Sequence, residues 1–417
     1  MDTFLVQNTS DLNGCIEISG SKNACLPLLA AATLLKNNIT FHDIPNICDV
    51  YSFLDILKLL KVDCIYKNND LTLNFDNFKA TSLVDSLMKT LRASYYLIPT
   101  LARNLNRFEI SLPGGCGFAN RPIDLHQKVF ASFGLETYIF ENKLVCKHSE
   151  LHGTTFEFPY KSVGATVNSI LMASFIDDVT TLINISNEPE IMCLIKYLKS
   201  CGIDITYLDS TVVIKGKKKT LNITNFTNIK DRIEAGTYLI LGALKGNPLT
   251  IKYCPIGDLE SLFKLFDYLN VKYEINDSNV TIYKSEIKKS IVLSAGPYPM
   301  FPSDLLPILV SYLGSSNLVH VVSDKIYPTR NQYVEELNKI GYTIVIKNDD
   351  IIIFPKKNDC EKNIIESKDI RGGASLIIGA INSNRKIKIN GINYVKRGYS
   401  NLLNKLRKIG VNINEEN

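Results

Sequence analysis

The chain has 417 residues, a net charge of +5, and 45% hydrophobic and 21% charged side chains, which fits two or three ordinary domains and excludes a disordered chain. The charge is small and its basic residues are spread out, apart from the run Lys215–Lys219, so a nucleic-acid partner is not expected. No stretch approaches the roughly 18 apolar residues of a membrane span and no secretory pattern opens the chain, so a cytoplasmic protein with reduced thiols is expected.

The ten cysteines show neither CxxC pairs nor zinc spacing. No metal, cofactor or disulfide framework is therefore expected, and most of the thiols should fill cores. In chain order, the strand-like TFLVQNTS at Thr3–Ser10 comes first. A helix then opens at Lys22 in GSKNACLPLLAAATLL, followed by the β-branched strand NNITFHDI at Asn37–Ile44. A second helix type follows in DVYSFLDILKLLKVDCIYK, with apolar residues at i, i+3, i+4 and i+7 and a closing strand. The pair then recurs. First-type helices open at Arg92 (TLRASYYLIPTLA), Ser162 (SVGATVNSILMAS), Arg232 (DRIEAGTYLILGAL), Asp304 (FPSDLLPILVSYL) and Arg371 (DIRGGASLIIGAI). Second-type helices follow in DLHQKVFASFG, EPEIMCLIKYLKSCG, DLESLFKLFDYLN, QYVEELNKIG and GYSNLLNKLRKIG. The period is about seventy residues, which makes the chain a sixfold β/α array.

The repeat phase favours two lobes of three units. One covers residues 21–229, and the other residues 1–20 with 230–417, the first strand pairing back into the latter. Between TVVIKG and TLNIT, the lysine run reads as a solvated hairpin turn.

Arginine occurs only ten times, against 47 basic residues in all, so its placement carries information. Arg92, Arg232 and Arg371 open first-type helices, while Arg121, Arg330 and Arg397 precede second-type ones. Planar donors beside helix N-termini suit phosphates and carboxylates. A structural reading competes for Arg232, in which it pairs with Glu234 or Glu188. Neither GxGxxG nor GxxxxGK[ST] occurs, so Rossmann and P-loop sites are not supported. The glycine-rich LPGGCGFANRPIDLH sets Cys116 beside Arg121, Asp124 and His126, between two repeats, where residues of about 112–122 suit a lid.

Taken in order, GSKNACLP, LRAS, GGC…RPIDLH, SVGAT, DRIEAGT, FPSD, DIRGGASL and RGY resemble the motifs of the UDP-N-acetylglucosamine 1-carboxyvinyltransferases, a family of enolpyruvyl transferases. The resemblance spans essentially the whole chain. It implies a two-lobed inside-out α/β barrel, three repeats per lobe with helices inside and sheets outside, closing over substrates. It also implies transfer of the enolpyruvyl group of phosphoenolpyruvate to the 3′-hydroxyl of UDP-N-acetylglucosamine, the opening step of peptidoglycan precursor synthesis, serving cell wall, shape and division.

By the same resemblance Cys116 is the acid, a site of covalent attachment and the target of fosfomycin, and Asp304 is the base. A cap for the helix DLLPILV is the competing role of Asp304. Lys22, Arg121 and Arg397 take the phosphate, Arg92, Arg330 and Arg371 the carboxylate, and Asn23 the sugar. Arg121, Pro122, Asp124, Leu125, Ser162, Val163, Gly164 and Ile326 line the nucleotide. Asp369 orients Arg371, and His126 packs or supports rather than catalyses. No cofactor or metal is implied, and a monomer is favoured.

Some positions depart from the family pattern. Gly117 follows the cysteine, Ala119 stands for a glycine, Met300 for a glycine, Leu306 for a glutamine, and YPTR precedes Arg330 in place of an aromatic-Glu-Asn-Arg segment. Rival readings are a shikimate 3-phosphate acceptor, disfavoured by Asn23 and Cys116, another uridine nucleotide, or a silent binding paralogue.

Overall fold

In a computed structural model of the chain the described residues are 2–7, 9–112, 123–217, 220–355, 362–383 and 385–416. They form a mixed α/β fold in two compact units. One holds the described residues of 2–19 and 230–416, the other those of 20–112 and 123–229. Among the described residues each unit carries three sheets.

In the unit of residues 20–229, one sheet runs in the order Asn225–Thr227, Ile39–His42, Asp70–Asn74, Asp63–Lys67. A second is Arg107–Ser111, Lys143–Lys147, Glu136–Phe140, and a third Asp204–Leu208, Thr211–Lys215, Val179–Ile183, Thr155–Glu157. The alternation in sequence becomes alternation in burial. Leu71 and Leu73 face the core while Thr72 points outward, its hydroxyl 2.9 Å from that of Thr40 on the neighbouring strand.

The other unit starts with Thr3–Val6, paired antiparallel with both Ile387–Asn390 and Ile413–Glu416. Its second strand, Leu12–Glu17, runs parallel to Gly246–Lys252. The third sheet of this unit is built around His320–Asp324, between Val292–Gly296 and Asp350–Phe354.

The two helix types divide by burial as their sequences require. In Lys22–Leu35 every residue but Asn23 is buried, which suits a run as apolar as LPLLAAATLL. Glu260–Leu269 instead buries Leu262, Phe263, Leu265, Phe266 and Leu269, a single stripe, and leaves the rest facing out. Each fully buried Leu or Phe contributes about 1.5–3 kcal/mol, so the stripe alone fixes which face docks.

Four first-type helices begin at side-chain caps. Ser21 accepts from the Ala24 N–H, Ser162 from Ala165, Asp231 from Ile233 and Glu234, and Asp369 from Arg371 and Gly372. The two middle repeats differ. Arg92–Leu97 and Ser303–Leu305 are 3₁₀ turns, and the α-helices follow at Ile98–Asn104 and Leu306–Leu313, each with a proline in its first turn where no N–H is needed. Asp304 is therefore not a cap. The residue before that 3₁₀ turn is Pro302, and the carboxylate of Asp304 turns to arginines instead.

The hairpin expected around the lysine run does not form. Thr211–Lys215 is already flanked by Asp204–Leu208 and Val179–Ile183, so no edge is open to the chain that follows. Residues 220–224 are not a strand, and the next strand, Asn225–Thr227, pairs with Ile39–His42 in a different sheet. No helix among the described residues is long and apolar enough to cross a membrane.

Candidate active site

In the unit that contains Asp304, four charged side chains from three segments interlock. Arg330 donates from Nη1 to Asp304 Oδ1 at 2.8 Å, and from Nε and Nη2 to Asp369 Oδ1, both at 3.3 Å. Arg371 donates from Nε to Asp304 Oδ2 at 3.1 Å. Asp369 Oδ1 also accepts the Arg371 and Gly372 backbone N–H groups, each at 3.0 Å, so one oxygen caps a helix and anchors an arginine. The side chains of Arg330, Arg371 and Asp369 are at most 4% exposed, while that of Asp304 is 30% exposed. The cluster thus presents one carboxylate outward from a buried base.

Burial opposes the charge on Asp304, but Arg371 and then Arg330 outweigh it and hold the carboxyl far below the usual range. Asp304 stays ionised at any physiological pH. Burial likewise opposes the charge of Arg371, and Asp304 restores it with a surplus.

Sequence reading missed a fifth member, Asp324. Its Oδ2 accepts the Ser303 hydroxyl at 2.5 Å, and its Oδ1 accepts the N–H groups of Ile326 and Tyr327 at 2.9 and 3.0 Å. It ties the FPSD segment to the segment that carries Ile326, 37% exposed, and Arg330. The available signal was an Asp two residues before Ile326, which suits an Asx turn. Where a family carboxylate is missing from YPTR, Tyr327 packs 5.9 Å from the Arg330 guanidinium. Leu306 is fully buried, so an apolar residue suits that position. Met300 lies against Gly296, where a Cβ would come within 2.6 Å of its sulfur.

Arg232 stacks at 5.7 Å on Tyr298. Glu234, suggested as its partner, is instead bound by Lys405 at 2.7 Å and by the Ser19 N–H at 2.7 Å, from elements the sequence spacing did not connect. Arg397 is half-buried and ends the short helix Asn393–Lys396.

The unit of residues 20–229 gathers its own set. Lys22 Nζ lies 2.6 Å from Asp49 Oδ2, a buried partner in the first turn of the helix Cys48–Leu59. Asn23, next along the chain, is exposed. A second cluster centres on His126. Asn168 Nδ2 lies 3.0 Å from its Nδ1, Tyr95 packs edge-on with ring centroids 6.2 Å apart, and a Cβ on Gly164 would come within 3.1 Å of the ring. Burial, then the charge of Arg92, pushes the imidazole down to about 4, against the pull of Asp124. His126 is therefore neutral at pH 7 and suited to packing and hydrogen bonding.

Around His126 the fold brings together Arg92, Asp124 and Gly164, which the sequence had singled out separately. Asp124 and Val163 are exposed in the first turns of their helices, Ser162 caps the second, and Leu125 is buried. Glu188 is buried at the start of the helix Pro189–Ser200. Cys116, Gly117, Ala119, Arg121 and Pro122 lie outside the described residues. Among the described residues, no group of three or more His, Cys, Asp or Glu side chains is placed to hold a metal ion.

The family model for EPSP synthase (3-phosphoshikimate 1-carboxyvinyltransferase) matches residues 6–406. The chain belongs to the EPSP synthase family. This family member is 32% identical over 422 residues to a UDP-N-acetylglucosamine 1-carboxyvinyltransferase of Prosthecochloris aestuarii, covering 100% of this chain and 99% of that one. It is 33% identical over 416 residues to UDP-N-acetylglucosamine 1-carboxyvinyltransferase 2 of Caldanaerobacter subterraneus subsp. tengcongensis, covering 99% of each. Its fold matches the crystal structure of the enolpyruvyl transferase NikO from Streptomyces tendae with a TM-score of 0.91 at 20% identity, covering 99% of this chain and 98% of that one.

Proposed function

We propose that the protein transfers the enolpyruvyl group of phosphoenolpyruvate to the 3′-hydroxyl of UDP-N-acetylglucosamine and releases phosphate. The observation that carries this reading is the match, over the whole chain and at 32–33% identity, to relatives bearing that activity in their names. The reaction opens peptidoglycan precursor synthesis, and we place it in the cytoplasm. The fold that serves it is six β/α repeats, three per unit, with helices inside and sheets outside. Three sheets in each unit support that arrangement.

Adding an alcohol across the donor's double bond needs a proton on the methylene carbon and removal of one from the hydroxyl. Cys116 supplies the first and Asp304 accepts the second. The new C–O bond forms at the central carbon, and loss of a methyl proton with phosphate then restores the double bond. Phosphoenolpyruvate brings a phosphate and a carboxylate, which Lys22, Arg121 and Arg397 hold at the phosphate and Arg92 and Arg371 at the carboxylate. Asn23 holds the sugar. The nucleotide lies against Arg121, Pro122, Asp124, Leu125, Ser162, Val163, Gly164 and Ile326, with His126 supporting Gly164.

Arg330 differs from the expectation. Two aspartates already take its Nε, Nη1 and Nη2, so its part is to hold Asp304 rather than to bind a carboxylate itself. Asp304 between two arginines is a good hydrogen-bond acceptor and a weak base. A donor carboxylate that draws off Arg371 removes the larger of those two charge contributions and raises the basicity of Asp304 when the donor is in place.

Mass spectrometry of the nucleotide sugar after incubation with both substrates tests the reading. A product carrying one added enolpyruvyl group is expected, and unmodified UDP-N-acetylglucosamine at full enzyme loading would refute it. Fosfomycin added with UDP-N-acetylglucosamine should place its mass on Cys116.

A further inference from the structure

Arg371 is buried in an environment that leaves part of it unsatisfied. Its Nε bonds to Asp304, yet its Nη1, fully buried, has no hydrogen-bond partner among the described residues. What lies beside the guanidinium is an aromatic ring, with its carbon 5.1 Å from the ring centroid of Tyr399. Tyr399 is itself 2% exposed, and its hydroxyl lies 2.9 Å from that of Thr237. Thr237 donates to the Ile233 carbonyl at 2.7 Å, which leaves the Tyr399 O–H to donate to Thr237. Gly398 closes the arrangement. A Cβ there would meet Ile370 Cγ2 at 2.3 Å and Arg371 Nη1 at 3.4 Å, so only glycine lets the chain pass so near.

A carboxylate holds an arginine by taking its N–H donors and cancelling its charge. A ring face attracts the same cation while leaving both available. Arg330 is held in the first way, by Asp304 and Asp369. On the side away from Asp304, Arg371 is held by Tyr399, whose ring and hydroxyl both engage the guanidinium without cancelling its charge.

We propose that Tyr399, anchored by Thr237, is the positioning residue that fixes the Arg371 guanidinium while its anionic partner changes from Asp304 to the carboxylate of the donor substrate. This rests on the enolpyruvyl-transfer reading above. It assigns Tyr399 to donor affinity and not to the acceptor or to proton transfer. A residue that served only to pack the unit would act on stability and leave the donor's KM alone.

The test compares Tyr399→Leu, Tyr399→Phe and Thr237→Val in steady-state phosphate release, with phenylglyoxal labelling of Arg371 mapped by peptide mass. Tyr399→Leu should raise the KM for phosphoenolpyruvate about 10-fold, with kcat within about 3-fold and the KM for UDP-N-acetylglucosamine unchanged. Tyr399→Phe, which keeps the ring and loses the hydroxyl's interaction with Arg371, should recover part of that loss, and Thr237→Val should raise the donor KM about 2–4-fold. Arg371 should label faster in Tyr399→Leu than in the wild type or Tyr399→Phe, a readout that needs no turnover. Leu and Phe variants behaving alike, or a fall in kcat at unchanged donor KM, would overturn the proposal. Should the Leu variant not fold, a Thr237→Val donor KM equal to wild type overturns it. Wild-type enzyme without phosphate release would instead sink the transfer reading, and the labelling rates would still decide the role of Tyr399.

Discussion

Two clusters, one in each unit, hold their side chains by opposite means, although the unit of residues 20–229 also keeps a buried ion pair at Lys22 and Asp49. Around Asp304, charge is held by charge: two buried arginines are neutralised by two aspartates, and one of those oxygens also caps a helix. Around His126 the held group is neutral, an imidazole on Asn168, while Asp124 and Val163 look outward from helix starts and Ser162 caps the second helix. The difference teaches where each cluster is vulnerable. Removing one member of an interlocked ion cluster strands a buried charge, whereas removing a cap or a neutral bond loses only that bond.

Asp369→Ala strikes the ion cluster hardest, since it leaves Asp304 alone to balance two buried arginines and uncaps the helix Ile370–Ile381. Urea unfolding should show a loss of about 3–5 kcal/mol. A loss under about 1 kcal/mol would mean that the ion cluster does not carry the stability assigned to it. Asp304→Asn should lower kcat for phosphate release by about 10²–10⁴-fold, the range of a general base. A normal kcat in this variant would remove Asp304 from proton transfer.

The neutral cluster predicts a pH effect. The folded pKa of His126 is depressed to about 4 from 6.5, so the unfolded chain binds the extra proton first. The contribution of His126 to stability is complete above pH 6.5 and falls as pH drops from there toward 4, by up to about 3 kcal/mol. His126→Gln should flatten that slope relative to wild type in unfolding measured across this range, and an unchanged slope would place the titration elsewhere. Ser162→Ala is the mildest change and should cost about 1 kcal/mol, a simple cap loss. A loss as large as that of Asp369→Ala would erase the contrast between the units.

Much of this was legible before any coordinates. The 3.6-residue periodicity placed the second-type helices, and the polar starts of first-type helices put their openings at Lys22, Ser162, Arg232 and Arg371, at or within two residues of the caps Ser21, Ser162, Asp231 and Asp369, although the one cap expected from sequence, Asp304, is not one. Arginine scarcity pointed to Arg330 and Arg371. Which acid each basic residue meets was not legible, because Asp304, Arg330 and Asp369 are brought together by the packing of three segments. Glu234 with Lys405 is the plainest case, a pair 171 residues apart. The lysine-run hairpin failed for a related reason. Strand-like composition at TLNIT says nothing of whether an open edge remains to receive it, and both edges of Thr211–Lys215 were taken. The 3₁₀ openings at Arg92 and Ser303 come just before helices that carry a proline in their first turn, a break the helical pattern does not show.

Steady-state phosphate release from phosphoenolpyruvate, measured side by side with UDP-N-acetylglucosamine, shikimate 3-phosphate and other uridine nucleotides, tests the central claim most directly. Release that saturates with UDP-N-acetylglucosamine and exceeds that with every other acceptor is the predicted result. Release only with shikimate 3-phosphate or another nucleotide, or none with any acceptor, would contradict it.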